Sequence, residues 1–178
     1  YGGHLELLKW LISEGCPCPT DISNSAAHGG NIKMLQFLQA SYESPYDICS
    51  FSAFSGKLNA LKWLYSKGYV INVHTFQEAT RGGNLHILKW LHANGCLWDE
   101  TITAYAVNYE QLEILRWLLS KGCPCDNNSV KFAAQSGYIE MLKLLKLNGL
   151  VLDASTYRYA EEQNQLDIIK WLRSEGCP

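Results

Sequence analysis

Seven cysteines and five histidines are the residues of this 178-residue chain best suited to hold a metal or to supply a nucleophile and a base. The cysteines fall as two close pairs, Cys16 with Cys18 and Cys123 with Cys125, with Cys49, Cys96 and Cys177 standing apart. Their spacing is CxC rather than the CxxC of common zinc sites. His4, His28, His74, His86 and His92 form neither an HExxH nor an HxxxH pair. Nucleophile-elbow, phosphate-loop and dinucleotide-binding patterns are all absent. No catalytic residue, metal site, cofactor or small-molecule substrate is therefore expected. A row of tryptophans, Trp10, Trp63, Trp90, Trp117 and Trp171, with Phe37 and Leu144 completing it, would serve as a stacking platform if it faced solvent. Asn127-Asn128-Ser129 reads as a glycosylation acceptor, but it also stands where a helix cap is needed.

The composition narrows the classes further. With 47% apolar, 18% charged and 12% aromatic residues the chain can bury a core. No apolar run approaches the roughly 20 residues that cross a bilayer, so neither a membrane span nor a membrane partner is expected. Fifteen basic against 17 acidic side chains leave a formal charge of −2, without the positive excess of a phosphate-binding protein, which disfavours nucleic acid. An odd number of thiols points to an intracellular, reducing compartment, cytoplasm or nucleus.

A fixed period organises these residues. Gly3, Gly30, Gly56, Gly83 and Gly137 open successive units, with Glu110 and Asn164 in the two remaining slots, at a spacing of 27 residues broken by a single 26. The unit reads GxLxxLKWLxxxGCPxD. Leu5, Ile32, Leu58, Leu85, Leu112, Ile139 and Leu166 align in one column, and Leu11, Leu38, Leu64, Leu91, Leu118, Leu145 and Leu172 in another. Column partners such as Cys96 and Cys123 then lie about 9 to 10 Å apart, the distance between packed helices, which is beyond the roughly 7 Å limit for a disulfide. The cysteines are accordingly read as small apolar fillers of the turns between repeats.

On a helix, Leu5, Leu7, Leu8, Trp10 and Leu11 cover more than half the circumference and leave only Glu6, Lys9 and Ser13 polar. Such a helix has to be contacted by its own partner helix and by neighbouring copies, which predicts an all-α solenoid of stacked helix-turn-helix repeats. The tryptophans fall at the border of the apolar arc and are expected to pack with one edge wet. The basic row Lys9, Lys62, Lys89, Arg116, Lys143 and Lys170 reads as a solvated face. A shorter second helix is predicted in each unit, over residues such as Thr101 to Val107 or Asn128 to Ala134. A small-residue column at Ala26, Ala79, Ala106, Ala133 and Ala160 allows close helix contact. Gly15, Gly68, Gly95, Gly122, Gly149 and Gly176 end the longer helices in a left-handed conformation.

Gly3-His4-Leu5-Glu6-Leu7-Leu8-Lys9-Trp10-Leu11, its counterpart from Gly83 to Leu91, and Ala26-Ala27-His28-Gly29-Gly30-Asn31 resemble the ankyrin repeat, and the resemblance covers the whole chain. The period is shorter than the family's 33 or so. The missing residues fall where the family has its projecting β-hairpin finger, and the TPLH opening is absent, so an ankyrin-like array with truncated fingers is expected. The KWL and GCP variant is similar to arrays encoded in large families by giant DNA viruses and some protists. The expectation is one array over residues 1–178, about six and a half repeats starting near residues 3, 30, 56, 83, 110, 137 and 164. The apolar end helices, without the polar substitutions of capping repeats, lead to the expectation of a piece of a longer chain. The second copy, one residue short at Ala40-Ser41-Tyr42-Glu43-Ser44-Pro45, predicts a different loop.

The resemblance implies that the long helices line a convex back and the short ones a concave front. Front positions that vary while the frame stays fixed are Asn24 and His28, Ser50 and Phe54, Gln77 and Arg81, Ala104 and Asn108, Lys131 and Gln135, and Arg158 and Glu162, each pair one helical turn apart. Tyr109 and Tyr46 add amphipathic area of the kind enriched in interfaces. The reading is a non-enzymatic scaffold holding a protein partner along this face. The alternative is a structural spacer or assembly component of a larger protein or particle.

Overall fold

A computed structural model describes residues 5–17, 21–41 and 47–177. Thirteen helices and no strand occupy these residues. The odd-numbered helices carry the LKWL pattern: α1 (Leu5–Ser13), α3 (Ile32–Ser41), α5 (Leu58–Ser66), α7 (Leu85–Ala93), α9 (Leu112–Ser120), α11 (Ile139–Leu147) and α13 (Leu166–Ser174). The even-numbered helices carry the small-residue column: α2 (Ile22–Gly29), α4 (Ile48–Phe54), α6 (Val73–Arg81), α8 (Glu100–Asn108), α10 (Asn127–Ser136) and α12 (Ala154–Glu162). The chain divides into two compact units, residues 1–97 and 98–178.

The even helices are shorter, as the sequence predicts, only at α2 with 8 residues and α4 with 7; α8 has 9 residues and α10 has 10, against 9 in most odd helices. The reason for the longer ones is an earlier cap. Asn72, Asp99, Asp126 and Asp153 each hold extended backbone and accept hydrogen bonds from N–H groups of the first helical turn. Asn72 and Asp153 complete capping boxes with Thr75 and Thr156. The hydroxyl of Ser155, donating to the Asp153 carboxylate, holds that carboxyl below the usual range. Asp126, not Asn127, is the cap at the sequon, and Asn127 is the first helical residue.

Within unit one α2 packs on α4 and α4 on α6; within unit two α8 packs on α10 and α10 on α12. Each even helix also packs on the odd helix that follows it. Ala26, Ala79, Ala106, Ala133 and Ala160 are buried at these contacts, and Ser52 fills the same place in α4, its hydroxyl donating to the Ala27 carbonyl 3.1 Å away on α2. A small side chain lets backbones approach, and the polar one is tolerated because it finds a partner. Leu38, Leu64, Leu91, Leu118, Leu145 and Leu172 are fully buried, whereas Leu11 is only half-buried. The Leu5 column is shallower than its regularity promises: it is half-buried from Leu5 to Ile139 and mostly exposed at Leu166.

The glycine columns mark two turns of left-handed backbone. After an odd helix the turn is a Schellman motif: Gly122 N–H donates to Leu119 and Cys123 N–H to Leu118, with Gly122 at φ 74°. Before an odd helix the same conformation persists without glycine at Glu110 (φ 57°) and Asn164 (φ 54°), the two slots where the sequence period lacks one. The residue after this turn ties copies together. Asn84 Nδ2 donates to the carbonyl oxygens of Ala53 and Phe54, at 2.8 and 2.7 Å, and Gln165 Nε2 to that of Gln135, at 2.8 Å. Tyr46 and the irregular loop of the second copy from Tyr42 onward, with Cys18, fall outside the described residues.

Two glycines separate strain from space. Gly122 needs positive φ but a Cβ there meets nothing, whereas Gly82 has an ordinary φ of −77° and a Cβ there would stand 2.0 Å from the Phe54 carbonyl oxygen. Gly122→Ala is expected to cost about 1 kcal/mol, the left-handed penalty alone. Gly82→Ala is expected to cost about 1–3 kcal/mol by overpacking and to disturb the Asn84 bridge. Urea unfolding midpoints of the two variants check the order.

Candidate functional site

Within each unit a groove opens between neighbouring even helices, and no odd-helix residue lines it. Three positions line it repeatedly, lying nine, five and two residues before the left-handed turn residue. In unit one, α2, α4 and α6 enclose a cleft of roughly 200 Å³ lined by His28, Asp47, Ser50, Phe51, Phe54, His74, Glu78 and Arg81. The Arg81 guanidinium lies 4.8 Å from the centre of the Phe54 ring and pairs with Glu78 at 3.1 Å. The His28 and Phe54 rings are 6.1 Å apart and tilted. In unit two, α8 and α10 leave a groove of about 320 Å³ lined by Thr101, Ala104, Tyr105, Asn108, Tyr109, Asp126, Asn128 and Phe132. One helix further, Lys131 and Arg158 converge on the ring of Tyr159.

Asp47, Ser50 and His74 bring together the residue types of a nucleophilic relay, but in the wrong order. His74 Nδ1 lies 3.1 Å from both Ser50 Oγ and Asp47 Oδ2, while Ser50 Oγ donates to Asp47 Oδ1. In a relay the carboxylate holds one imidazole nitrogen and the other takes the hydroxyl proton. Here a single nitrogen serves both, the three groups close a triangle, and Ser50 is only 2% exposed. The cluster braces α4 against α6.

The positions predicted from sequence distribute unevenly. His28, Ser50, Phe54 and Arg81 meet in the first cleft, and Ala104, Asn108 and Tyr109 line the second. Ser50 and Ala104 are buried, and so offer little surface. Lys131 and Arg158 meet at Tyr159, while Asn24, Gln77, Gln135 and Glu162 line neither cleft. The carbonyl of Gln135 is taken by Gln165, and Asn24 Oδ1 is buried without a hydrogen-bond partner among the described residues. Sequence reasoning missed Asp47, Phe51, His74, Glu78, Tyr105, Phe132 and Tyr159. Part of the signal was present: Phe51, Tyr105, Phe132 and Tyr159 occupy one repeat position, the residue next to the column that was chosen.

The tryptophan row is no open platform. Trp63, Trp90, Trp117 and Trp171 are half-buried, although Trp10 is 56% exposed. Tyr65 meets Trp90 edge-on at 5.6 Å, and Trp98 meets Trp117 the same way at 5.8 Å.

The thiols close the helical hairpins. Cys96 and Cys123 follow the left-handed glycine, and their Sγ atoms donate to the carbonyls of the cap residues Asn72 and Asp99, which begin the preceding even helices. Cys177 donates likewise to Leu152. Two thiols depart from the turn-filling expectation: Cys49 is buried inside α4, and Cys16 is exposed. Among the described residues no group of His, Cys, Asp and Glu is placed to hold a metal ion, and no helix is long and apolar enough to cross a membrane.

Burial pushes Cys49 to about 12, with Asp47 adding to it, and Cys123 to about 12, with Cys125, Asp99 and Glu100 adding. Burial alone pushes Cys96 to about 11. At pH 8 roughly one Cys49 in ten thousand is then thiolate, the form that reacts. Native protein treated with iodoacetamide at pH 8 is expected to leave Cys49 and Cys123 unmodified, with both alkylated once urea unfolds the chain; peptide mass spectrometry reads the pattern. Because these folded-state values lie above the ordinary 9.0, their stabilising effect is complete below about pH 9 and declines as pH rises toward 12.

Residues 76–156 match the family model described as ankyrin repeats (3 copies). Among solved structures the chain is similar to the ankyrin repeat domain of human ASB11, with 21% identity and a TM-score of 0.66, over 84% of this chain and 81% of that one. It has a looser likeness, TM-score 0.44 at 12% identity, to the pentatricopeptide repeat protein PPR10 in complex with an 18-nt psaJ RNA element, over 99% of this chain and 37% of that one. No curated protein matches the chain by sequence.

Proposed function

We propose that this is a non-enzymatic scaffold that holds a protein partner across the even-helix face, since residues 76–156 match the ankyrin-repeat family model and the fold of an ankyrin repeat domain extends over 84% of the chain. Ankyrin repeats are generally protein-protein interaction modules, and proteins built from them are typically non-enzymatic. The observation that carries the reading to a particular face is the recurrence of one groove. The cleft of His28, Phe54 and Arg81 in unit one and that of Tyr105, Asn108 and Tyr109 in unit two use equivalent repeat positions, yet they are lined by unlike side chains. The frame around them, the Ala column and the buried Leu columns, hardly changes. A constant scaffold that presents variable chemistry at fixed intervals suits recognition of an extended protein surface.

The reading assigns no cofactor, small-molecule substrate, membrane or nucleic-acid partner. The 27-residue period runs without interruption past the division of the two units, which supports taking residues 1–178 as one array. The odd number of cysteines, seven, supports a reducing, intracellular compartment.

Affinity capture with two charge-reversed variants tests the face. Arg81→Glu with Arg158→Glu alters the even-helix side, and Lys62→Glu with Arg116→Glu the odd-helix side. Proteins captured by the parent chain are expected to be retained by the second variant and depleted about tenfold by the first, with both variants keeping the parent's circular dichroism. Equal depletion by the two, or by neither, would overturn the assignment.

A further inference from the structure

Unit two displays two cations without carboxylate partners, next to a ring-lined groove. Lys131 Nζ lies 5.6 Å and the Arg158 guanidinium 5.9 Å from the centre of the Tyr159 ring. Among the described residues neither has a carboxylate within ion-pair distance, although Glu162 follows Arg158 by one turn of α12. The arrangement differs from that of unit one, where Arg81 over Phe54 is neutralised by Glu78 and Asp47 stands 3.1 Å from His74. On the odd-helix side Lys9, Lys143, Lys146 and Lys170 each have a carboxylate within 4.0 Å, while Lys62, Lys89 and Arg116 have none among the described residues; what sets Lys131 and Arg158 apart is that two unpaired cations lean on one ring beside a groove. One inter-helix gap away, Tyr105, Tyr109 and Phe132 wall a groove large enough for one sizeable apolar side chain, with Asn108 and Asn128 among its lining residues.

We propose that this face binds an acidic protein segment which seats one apolar side chain in the groove between α8 and α10 and carries a carboxylate to Lys131 and Arg158. The proposal rests on the protein-binding reading and gives its partner a chemistry. Lys131 is half-buried and leans on a ring, so its ammonium is positioned before anything binds and an approaching anion meets a charge of fixed geometry. Lys131 and Phe132 are adjacent on α10, so the anchor site and the cation site occupy consecutive gaps. Packed helices stand about 8–10 Å apart and an extended chain advances about 3.3 Å per residue, which sets the apolar residue and the acid roughly three positions apart. Single-stranded nucleic acid is also anionic and stacks on aromatic rings, but it needs a run of phosphate contacts and open ring faces. Here there are two cations, both held against one ring, and Tyr105 and Tyr109 are tilted 46° to each other rather than offering parallel platforms.

Fluorescence anisotropy with the full 178-residue chain tests this, using labelled peptides of about twelve residues. The first peptide carries Glu and Asp with a single Phe three residues before an Asp. The others replace Phe by Ser, replace every acid by Lys, or move the acids away from Phe; an oligo-dT of similar length completes the set. The first peptide is expected to bind, to weaken as salt is raised, and to lose about tenfold in affinity on Lys131→Glu with Arg158→Glu and several-fold on Tyr105→Ala. Arg158→Gln, at an exposed site, supplies a milder variant should the double reversal impair folding, and it is expected to weaken binding in the same direction. Failure of the first peptide to bind overturns the proposal, as does equal binding of the Lys or Ser peptide or tighter binding of oligo-dT. If captured proteins still depend on the even-helix face while the acidic peptide fails, the acidic chemistry alone is wrong. If capture is indifferent to that face, the protein-binding reading falls with it.

Discussion

The close approach of one even helix to the next holds each unit together, because no copy of the repeat can hide its own apolar surface. An odd helix with leucines over more than half its circumference needs partners on several sides, and the even helix of its own hairpin covers only one. Packing α2 on α4 and α4 on α6 brings the attached odd helices alongside one another, so that Leu38, Leu64 and Leu91 lose all contact with solvent. Fully burying such a side chain is worth about 1.5–3 kcal/mol, and the gain recurs with each copy. The approach is possible only where the facing residue is small, which is why alanine recurs there, and why the one serine, Ser52, comes with a bond to the Ala27 carbonyl. The Asn84 and Gln165 amides extend the same logic to the helix ends, where they donate to carbonyls in the last turn of the even helix of the preceding hairpin.

What was legible in the sequence was whatever the period repeats. The helix count, the buried Leu11-type column from Leu38 onward, the alanine contacts and both glycine turns follow from residue types recurring at one spacing, and even the gaps in that pattern carry meaning. Glu110 and Asn164 hold the left-handed angle that glycine holds in the other copies, because the hydrogen bonds of the turn fix the backbone whatever side chain is attached. The misread features depend on one local partner. Helices α8 and α10 start one residue earlier than expected because Asp99 and Asp126 cap them, and a sequence window weighted toward apolar residues does not see a cap. The thiols could be recognised as structural, but not as donors to cap carbonyls, since that bond joins residues 24 apart in sequence.

The candidate site was half legible for a related reason. Variation between copies marks positions that packing does not dictate, and it led to His28, Phe54, Arg81, Asn108, Lys131 and Arg158. It does not tell which way a side chain points. Ser50 and Ala104 vary as much as their neighbours do and yet are buried, whereas Phe51, Tyr105, Phe132 and Tyr159 look uniform enough to pass for core and instead lie at or near the grooves. An aromatic column on an even helix can be core or surface, and the choice depends on the rotation of that helix about its axis, which the alanine contact fixes in three dimensions.

The same rotation explains why charge is free to differ between the grooves. Since the frame is held by alanine, leucine and backbone amides, the residues at the groove positions contribute little to folding and their charges need not cancel. Where Glu78 pairs with Arg81 and Asp47 stands close by, an incoming anion would have to displace an existing pair, so little net attraction remains. Where Lys131 and Arg158 rest on a ring with no carboxylate within ion-pair distance among the described residues, no existing pair has to be displaced, and the proposed acidic segment supplies the partner for both charges. Nothing in the packing requires those two cations, and a pair of like charges drawn to one tyrosine carries a repulsive cost that a bound carboxylate would relieve.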